Sequence, residues 1–89
     1  MTVYVDDWRQ PARVGRLSGR WSHMVGDDLD ELHAFALRLG LRRSWFQPQG
    51  GWYPHYDVTE SKRVQAVRQG AIAVSWRHLP RLHREGLIL

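Results

Sequence analysis

The nine residues His55–Arg63, with the sequence HYDVTESKR, bring together an imidazole, two carboxylates, two aliphatic hydroxyls and two cationic side chains. His55 and Asp57 lie two residues apart and offer the nitrogen and oxygen ligands that a divalent metal ion accepts. Three residues elsewhere in the sequence are candidates to complete the coordination shell: Asp6, Asp7 and His23. The pattern indicates a metal site that uses this segment.

A bound Mn²⁺, Mg²⁺ or Zn²⁺ ion would activate water and neutralise phosphate charge. In a metal-dependent phosphoesterase or nuclease, the candidate catalytic residues are Asp6, His23, His55 and Asp57, with His55, Asp57 and Asp6 as metal ligands. Arg63 would steady the charge on the phosphate. No motif in the chain requires a cofactor, so this enzyme is one hypothesis among three.

The same segment also favours a second hypothesis, a binding module for nucleic acid or a nucleotide. Free backbone N–H groups and the positive dipole end of a helix attract phosphate, and Ser61, Lys62 and Arg63 would add donors and charge. Trp52 and Tyr53, in the preceding Gly- and Pro-rich loop, are candidate platforms for stacked bases. Binding of this phosphate-bearing polyanion is the leading prediction.

The composition agrees with a polyanionic partner. The chain has 13 Lys and Arg residues, of which only Lys62 is a lysine, against nine acidic residues, and its net charge is +4. Arginine binds phosphate with a planar fork and stacks on aromatic rings. A GC-rich genome would impose the same preference for Arg, which is the alternative explanation. The absence of Cys excludes disulfides and thiolate metal sites and is consistent with a cytoplasmic location.

Two capping boxes predict the two main helices. Asp28 and Glu31 begin the first, whose apolar stripe is Leu29, Leu32, Ala36 and Leu39, with Gly40 as the terminating glycine. Asp57 and Glu60 begin the second, which ends at Gly70 and buries Val64, Val67 and Ala71. This periodicity turns Lys62 toward water and lets Arg63 reach Asp6 or Asp7. Capping is also the structural alternative to metal binding for Asp57.

Four segments have the composition of strands: Thr2–Val5, Trp21–Val25, Leu41–Phe46 and Ala71–Trp76. Residues 8–20 and 47–54 are predicted loops, and 77–89 a short helix, packed through Leu79 and Leu82, with a tail. We therefore predict one domain over residues 1–89 with an α/β fold, or alternatively α+β. It contains a small mixed sheet of about four strands, two main helices and a short C-terminal helix. If the strands are parallel, the polar residues converge at their carboxyl ends.

No apolar run approaches the roughly 20 residues that cross a bilayer, and the first residues lack the pattern of a secretion signal. The sequence thus predicts no membrane partner.

Four stretches in order resemble one family: VYVDD, WSHMVGDDLDELHAFALRLGL, RSWFQ and HYDVTESKRVQAVRQGAIAVSW. They are similar to the small bacterial and tailed-phage proteins of domain of unknown function 4031, from Val3 to about Trp76. The matching positions are His23, Trp45, Gln47, His55, Asp57, Ser61, Lys62, Arg63, Gly70 and Ala71. The resemblance implies an intracellular setting in which DNA and RNA are the abundant polyanions. The third hypothesis is a protein-interaction factor, for example a phage product that binds a host protein through its exposed aromatic loop.

Overall fold

The computed structural model describes residues 2–48 and 53–89 of the chain. Its strands are β1 (Val3–Val5), β2 (Gln10–Val14), β3 (Leu17–Gly26), β4 (Tyr56–Thr59) and β5 (Ile72–Ala73). Its helices are α1 (Leu29–Arg38), α2 (Glu60–Arg68) and α3 (Leu79–Arg84), with single 3₁₀ turns at Arg43–Trp45 and Trp76–His78. The mixed α/β fold is confirmed, with five strands in one sheet.

The long strand β3 is the centre of the sheet. Met24 pairs with Val5 of β1 and with Tyr56 of β4, both antiparallel, so these two strands lie on opposite sides of β3. The hairpin partner β2 is antiparallel to the first half of β3, and β5 adds to β1 in the parallel direction. The predicted mixed sheet is confirmed. Among the described strands only the β1–β5 pair is parallel, so the condition for convergence of the polar residues at the carboxyl ends of parallel strands is not met.

A bulge separates β1 from β2 and shapes the region around Asp6. Val5 pairs with Met24 and Gln10 pairs with Trp21, so residues 6–9 lie opposite only residues 22–23. Arg9 adopts a φ of +47° in this bulge, and its backbone N–H donates to Ser22 Oγ at 3.1 Å. Bulges redirect side chains and twist the strand locally. Here the extra residues begin at Asp6, whose side chain accepts hydrogen bonds from the backbone N–H groups of Trp8 and His23.

The two faces of the sheet bury separate clusters. Alternating strand residues such as Val5, Met24 and Val58 pack with Leu32 of α1 and Ala66 of α2. On the opposite face, Val25 packs with Leu79, Leu82 and Ile88, which confirms the predicted packing of the C-terminal helix. The Asp28 cap of α1 is confirmed as well, because its Oδ1 accepts from the Glu31 N–H at 3.0 Å.

Three segments differ from the prediction. Residues 8–20 were expected to be a loop, but they contribute β2 and the start of β3, an exposed hairpin that lacks the alternation typical of half-buried strands. Residues 41–46 contain a 3₁₀ turn in place of a strand, with the Arg42 and Arg43 guanidinium groups over the rings of Trp45 and Phe46. In 71–76 only Ile72–Ala73 is strand.

Helix α2 begins later than the capping pattern predicts. Asp57 lies inside β4, and Thr59 is the cap, with its Oγ1 accepting from the Lys62 N–H at 3.3 Å. The prediction that α2 buries Val64 and Val67 is wrong, since these residues are 39% and 41% exposed, whereas Ala66 is buried.

Two charged residues at the start of α2 donate hydrogen bonds to backbone carbonyls of other elements. Lys62 does not face water, because its Nζ donates to the carbonyl of Leu39 at 2.6 Å and so caps the end of α1. Arg63 reaches Asp6 as predicted, with its Nε donating to the Asp6 backbone carbonyl at 2.6 Å.

The substitution Thr59→Ala tests the observed cap. Loss of the hydroxyl leaves the Lys62 N–H without its acceptor, and we expect the free energy of unfolding to fall by about 1 kcal/mol. Urea denaturation followed by circular dichroism measures the change. Ser61→Ala is the matched control, because this exposed hydroxyl makes no side-chain hydrogen bond within the described residues. An equal loss in both variants would contradict the assignment.

His33 links α1 to β4 and makes stability depend on pH. Its Nδ1 lies 2.8 Å from Tyr56 Oη, and burial, followed by the charge of Arg43, lowers the pKa of His33 below its usual value. The unfolded chain therefore binds this proton more readily than the folded chain. The stabilisation is complete above the ordinary histidine pKa and is lost as the pH falls through the lowered value.

When the pH is lowered from about 7.5 to about 5, we expect the free energy of unfolding to fall less in His33→Gln than in the unmodified protein. Urea denaturation at several pH values compares the two proteins, and the other four histidines are common to both. Parallel pH profiles for the two proteins would show that His33 does not contribute.

Candidate metal centre

Two histidines and one aspartate on neighbouring strands form a cluster suited to a metal ion. One ligand atom each from His23, His55 and Asp57 lie within 4.8 Å of one another. His23 of β3 pairs in register with Asp57 of β4, so both side chains leave the same face of the sheet. A backbone bridge between Gln47 and His55 holds the residue before β4 beside them.

His23 is oriented by the buried carboxylate of Asp6. The Oδ2 atom of Asp6 lies 2.7 Å from His23 Nδ1, while Oδ1 accepts from the backbone N–H groups of His23 at 2.9 Å and Trp8 at 3.1 Å. A carboxylate can only accept hydrogen bonds, so Nδ1 carries the proton. In the neutral ring the lone pair is then on Nε2, the nitrogen that can bind a metal.

His55 has the same division of roles between its ring nitrogens. Its Nδ1 lies 2.6 Å from the carbonyl oxygen of Tyr53, which only accepts, so Nδ1 donates there. Its Nε2 lies 3.2 Å from Asp57 Oδ1. In the neutral form of His55 these two atoms are both acceptors. A cation, either a proton on Nε2 or a metal ion, is needed to bring them together.

Asp57 is held as an anion. Burial is the largest single influence and would raise its pKa, but the contacts from His55 and Gln47 together outweigh it and lower the pKa of Asp57. The Gln47 side-chain amide donates to Oδ2 at 2.6 Å, which leaves Oδ1 toward His55. The carboxylate is therefore ionised and oriented before any metal arrives.

This arrangement has the features of protein metal sites. Metal-binding histidines donate their second nitrogen to a carboxylate or a backbone carbonyl, and here His23 uses Asp6 and His55 uses Tyr53. Two imidazoles with one carboxylate suit Zn²⁺, Mn²⁺, Fe²⁺ or Co²⁺ better than Mg²⁺, which prefers oxygen. Three protein ligands leave coordination positions for water or a substrate.

The cluster is buried on the histidine side and opens at the carboxylate. His23 and His55 are 8% and 4% exposed, whereas the side chain of Asp57 is 29% exposed. The indole of Trp8 lies against His23 with ring centroids 5.1 Å apart, and the two imidazoles meet edge to face at 4.9 Å. A substrate would therefore approach from the side of Asp57 and Gln47.

The four residues predicted to act together are brought together, but not through the parallel strands on which the predicted convergence depended. Asp6, His23, His55 and Asp57 meet through the register of antiparallel strands, not at the carboxyl ends of parallel ones. Asp6 lies behind His23, on the Nδ1 side, so it positions a ligand instead of serving as one. Asp7 does not belong to the cluster; its Oδ1 accepts a hydrogen bond from the backbone N–H of Trp76 at 2.9 Å.

Of the described residues predicted to bind phosphate, none contributes a side chain to this three-residue cluster. Ser61 is exposed, whereas Lys62 and Arg63 donate to backbone carbonyls of the chain itself. Tyr53 packs against His83, with ring centroids 5.1 Å apart. Trp52 lies outside the described residues. Phosphate binding by this group stays a prediction.

Sequence reasoning missed three contributions to the site. The Gln47 amide, the Trp8 ring and the Tyr53 carbonyl all touch the metal-binding residues. Only Gln47 could have been identified from the sequence, because it is one of the positions in the family pattern. The role of a backbone carbonyl cannot be predicted from residue type.

Asp6→Asn tests the role of the buried carboxylate. If the amide oxygen keeps the two backbone hydrogen bonds, its NH₂ group faces His23 Nδ1 and forces the ring proton onto Nε2. We expect the affinity for Zn²⁺ or Co²⁺ to fall by about 10- to 100-fold. Isothermal titration calorimetry measures it, after circular dichroism has shown that the variant is folded. Asp7→Asn is the matched control and should bind metal normally; unchanged affinity in Asp6→Asn would contradict the assignment.

Comparison with known proteins gives the chain a family. Residues 3–86 of the 89 match the model of the family described as protein of unknown function (DUF4031). No curated protein and no solved structure matches the chain significantly. None of the helices in residues 2–48 and 53–89 is long and apolar enough to cross a lipid bilayer. With the family match covering nearly its whole length, the chain belongs to the DUF4031 family.

Proposed function

We propose that this protein binds a divalent transition-metal ion through His23, His55 and Asp57 and hydrolyses a phosphate ester. The observation that carries the proposal is the convergence of three ligand atoms within 4.8 Å. The second nitrogen of each imidazole is already bonded to an acceptor at 2.6 or 2.7 Å, as metal-binding histidines require. Such a preorganised set binds metal without first having to reorient its side chains.

The chemistry would follow from the positions of the side chains. A metal ion with an open coordination position lowers the pKa of bound water toward neutrality and polarises a phosphoryl oxygen. Asp6 and the Tyr53 carbonyl keep the two imidazoles in the ligating tautomer. Asp57 supplies a negative charge, and Trp8 covers the His23 side against bulk water. A metal ion held by these residues would itself supply the activated water, so no separate general base would be needed.

A phosphate ester is the substrate class that the charge of the protein favours. The net charge of +4, carried almost wholly by arginine, attracts anionic substrates and repels cationic ones. Carboxylic esters and peptides without negative charge gain nothing from this field. The proposal thus unites the predicted polyanion binding with the predicted metal-dependent enzyme.

The metal site is tested by thermodynamic linkage. Zn²⁺, Mn²⁺ or Co²⁺ at about a hundredfold excess over its dissociation constant should raise the free energy of unfolding by about 2.7 kcal/mol. His55→Ala should abolish this increase. His78→Ala is the matched control, because His78 is exposed and outside the cluster. If metal leaves the unfolding transition unchanged, or if both variants respond alike, the site is wrong.

Hydrolysis is tested separately with the chromogenic diester bis(4-nitrophenyl) phosphate and the monoester 4-nitrophenyl phosphate. We expect release of nitrophenol by protein loaded with metal, none after treatment with a chelator, and none from His55→Ala. Protein that binds metal tightly but cleaves neither ester would retain the metal site and overturn the catalytic proposal.

A further inference from the structure

The hairpin formed by β2 and β3 carries four arginines close together and no acidic residue. We call residues 9–20 the arginine hairpin; it contains Arg9, Arg13, Arg16 and Arg20. Residues 9–13 and 15–20 are all exposed, and no acidic residue occurs between Asp7 and Asp27. Nothing in the proposed hydrolysis of a small ester uses this surface.

Most of these guanidinium groups have no acidic partner. Arg9 pairs with Glu60 at 3.2 Å. Arg13 and Arg20 donate only to carbonyl oxygens, those of Gly15 and Arg9. Among residues 2–48 and 53–89, no carboxylate lies within ion-pair distance of Arg13, Arg16 or Arg20. The outer part of the hairpin is thus a positive surface that an external anion can neutralise.

The charges are arranged along the ribbon. Arg13 pairs with Ser18 and Arg20 with Pro11, so the two arginines lie on the same face, two positions apart. At about 3.4 Å per residue, their backbone positions are separated by about 7 Å along the strands. Arg16 lies in the turn at the tip, next to Gly15 with its positive φ of 61°. Charges spaced along a line in this way can contact successive charges of an extended anion, but they cannot surround a small one.

We infer that the arginine hairpin binds the phosphate backbone of double-stranded DNA. A two-stranded β-ribbon fits the major groove of B-form DNA, whereas the major groove of A-form RNA is too narrow for side chains to read. Single-stranded nucleic acid is bound largely by stacking on aromatic rings, and residues 9–20 contain none. Charge complementarity and ribbon shape therefore favour duplex DNA.

DNA binding by the arginine hairpin does not depend on the proposed hydrolysis. Arg20 and His23 lie three residues apart on β3, and this odd separation places their side chains on opposite faces of the sheet. A duplex held by Arg13 and Arg20 is therefore not required to be the substrate of the metal centre. Binding itself needs no metal, so the two proposals can fail independently.

Fluorescence anisotropy of a labelled DNA duplex, in chelator and between about 50 and 200 mM salt, tests the binding. The hairpin variant is Arg13→Gln, Arg16→Gln and Arg20→Gln in one chain. Its matched control is Arg68→Gln, Arg81→Gln and Arg84→Gln, which removes the same charge from exposed positions elsewhere. We expect the hairpin variant to bind roughly tenfold or more weakly, with a salt slope lower by about three, and the control to change much less.

Further readouts separate this proposal from the metal centre. The hairpin variant should cleave bis(4-nitrophenyl) phosphate normally, and His55→Ala should bind duplex DNA normally. Equal weakening of the two triple variants would assign binding to the overall charge and overturn the hairpin. Absence of binding at low salt, or preference for single-stranded DNA or duplex RNA, would overturn the inference as well.

Discussion

The carboxylate of Asp6 is the group on which the rest of the site depends. It is fully buried at the end of β1, where an unpaired charge would be strongly destabilising. Two backbone N–H groups and the His23 ring satisfy it, and these bonds tie the bulge to the central strand. The backbone carbonyl of the same residue accepts from Arg63, which fixes α2 against the sheet. One residue thereby couples strand pairing, helix placement and the tautomer of a metal ligand.

The parts of the fold predicted correctly are those determined by local interactions. The cap at Asp28 and the helical spacings of Leu32 with Ala36 and of Leu79 with Leu82 are all set by residues a few positions apart, even though these side chains pack on distant strands. The exposed hairpin was missed because neither of its faces is buried, so no alternation of apolar residues marks it. In α2 the capping pattern was ambiguous: Asp57 and Thr59 can both cap, and pairing of Asp57 with His23 of β3 decides between them.

In the candidate site, too, the features that depend on long-range strand pairing could not be predicted. Residue chemistry identified Asp6, His23, His55 and Asp57 before any geometry was known. Their roles could not be assigned, because a ligand and the carboxylate that orients it have the same sequence signature. The distinction depends on which imidazole nitrogen each group reaches, and that is fixed by the register of β1, β3 and β4. Long-range pairing of this kind is not encoded in any single segment.

The alternation of side chains along β3 and β4 separates stability from chemistry. Met24, Tyr56 and Val58 point into the core beneath α1 and α2, whereas His23 and Asp57, their immediate neighbours in sequence, point to the other face. Substitutions on the face covered by α1 and α2 can change how well the domain folds without altering the ligand set. Substitutions on the opposite face can change the ligand set, and with it the metal or the reaction, while leaving that core intact. The outward residues of these two strands can therefore be exchanged, and the activity with them, while the inward residues that hold the fold are kept.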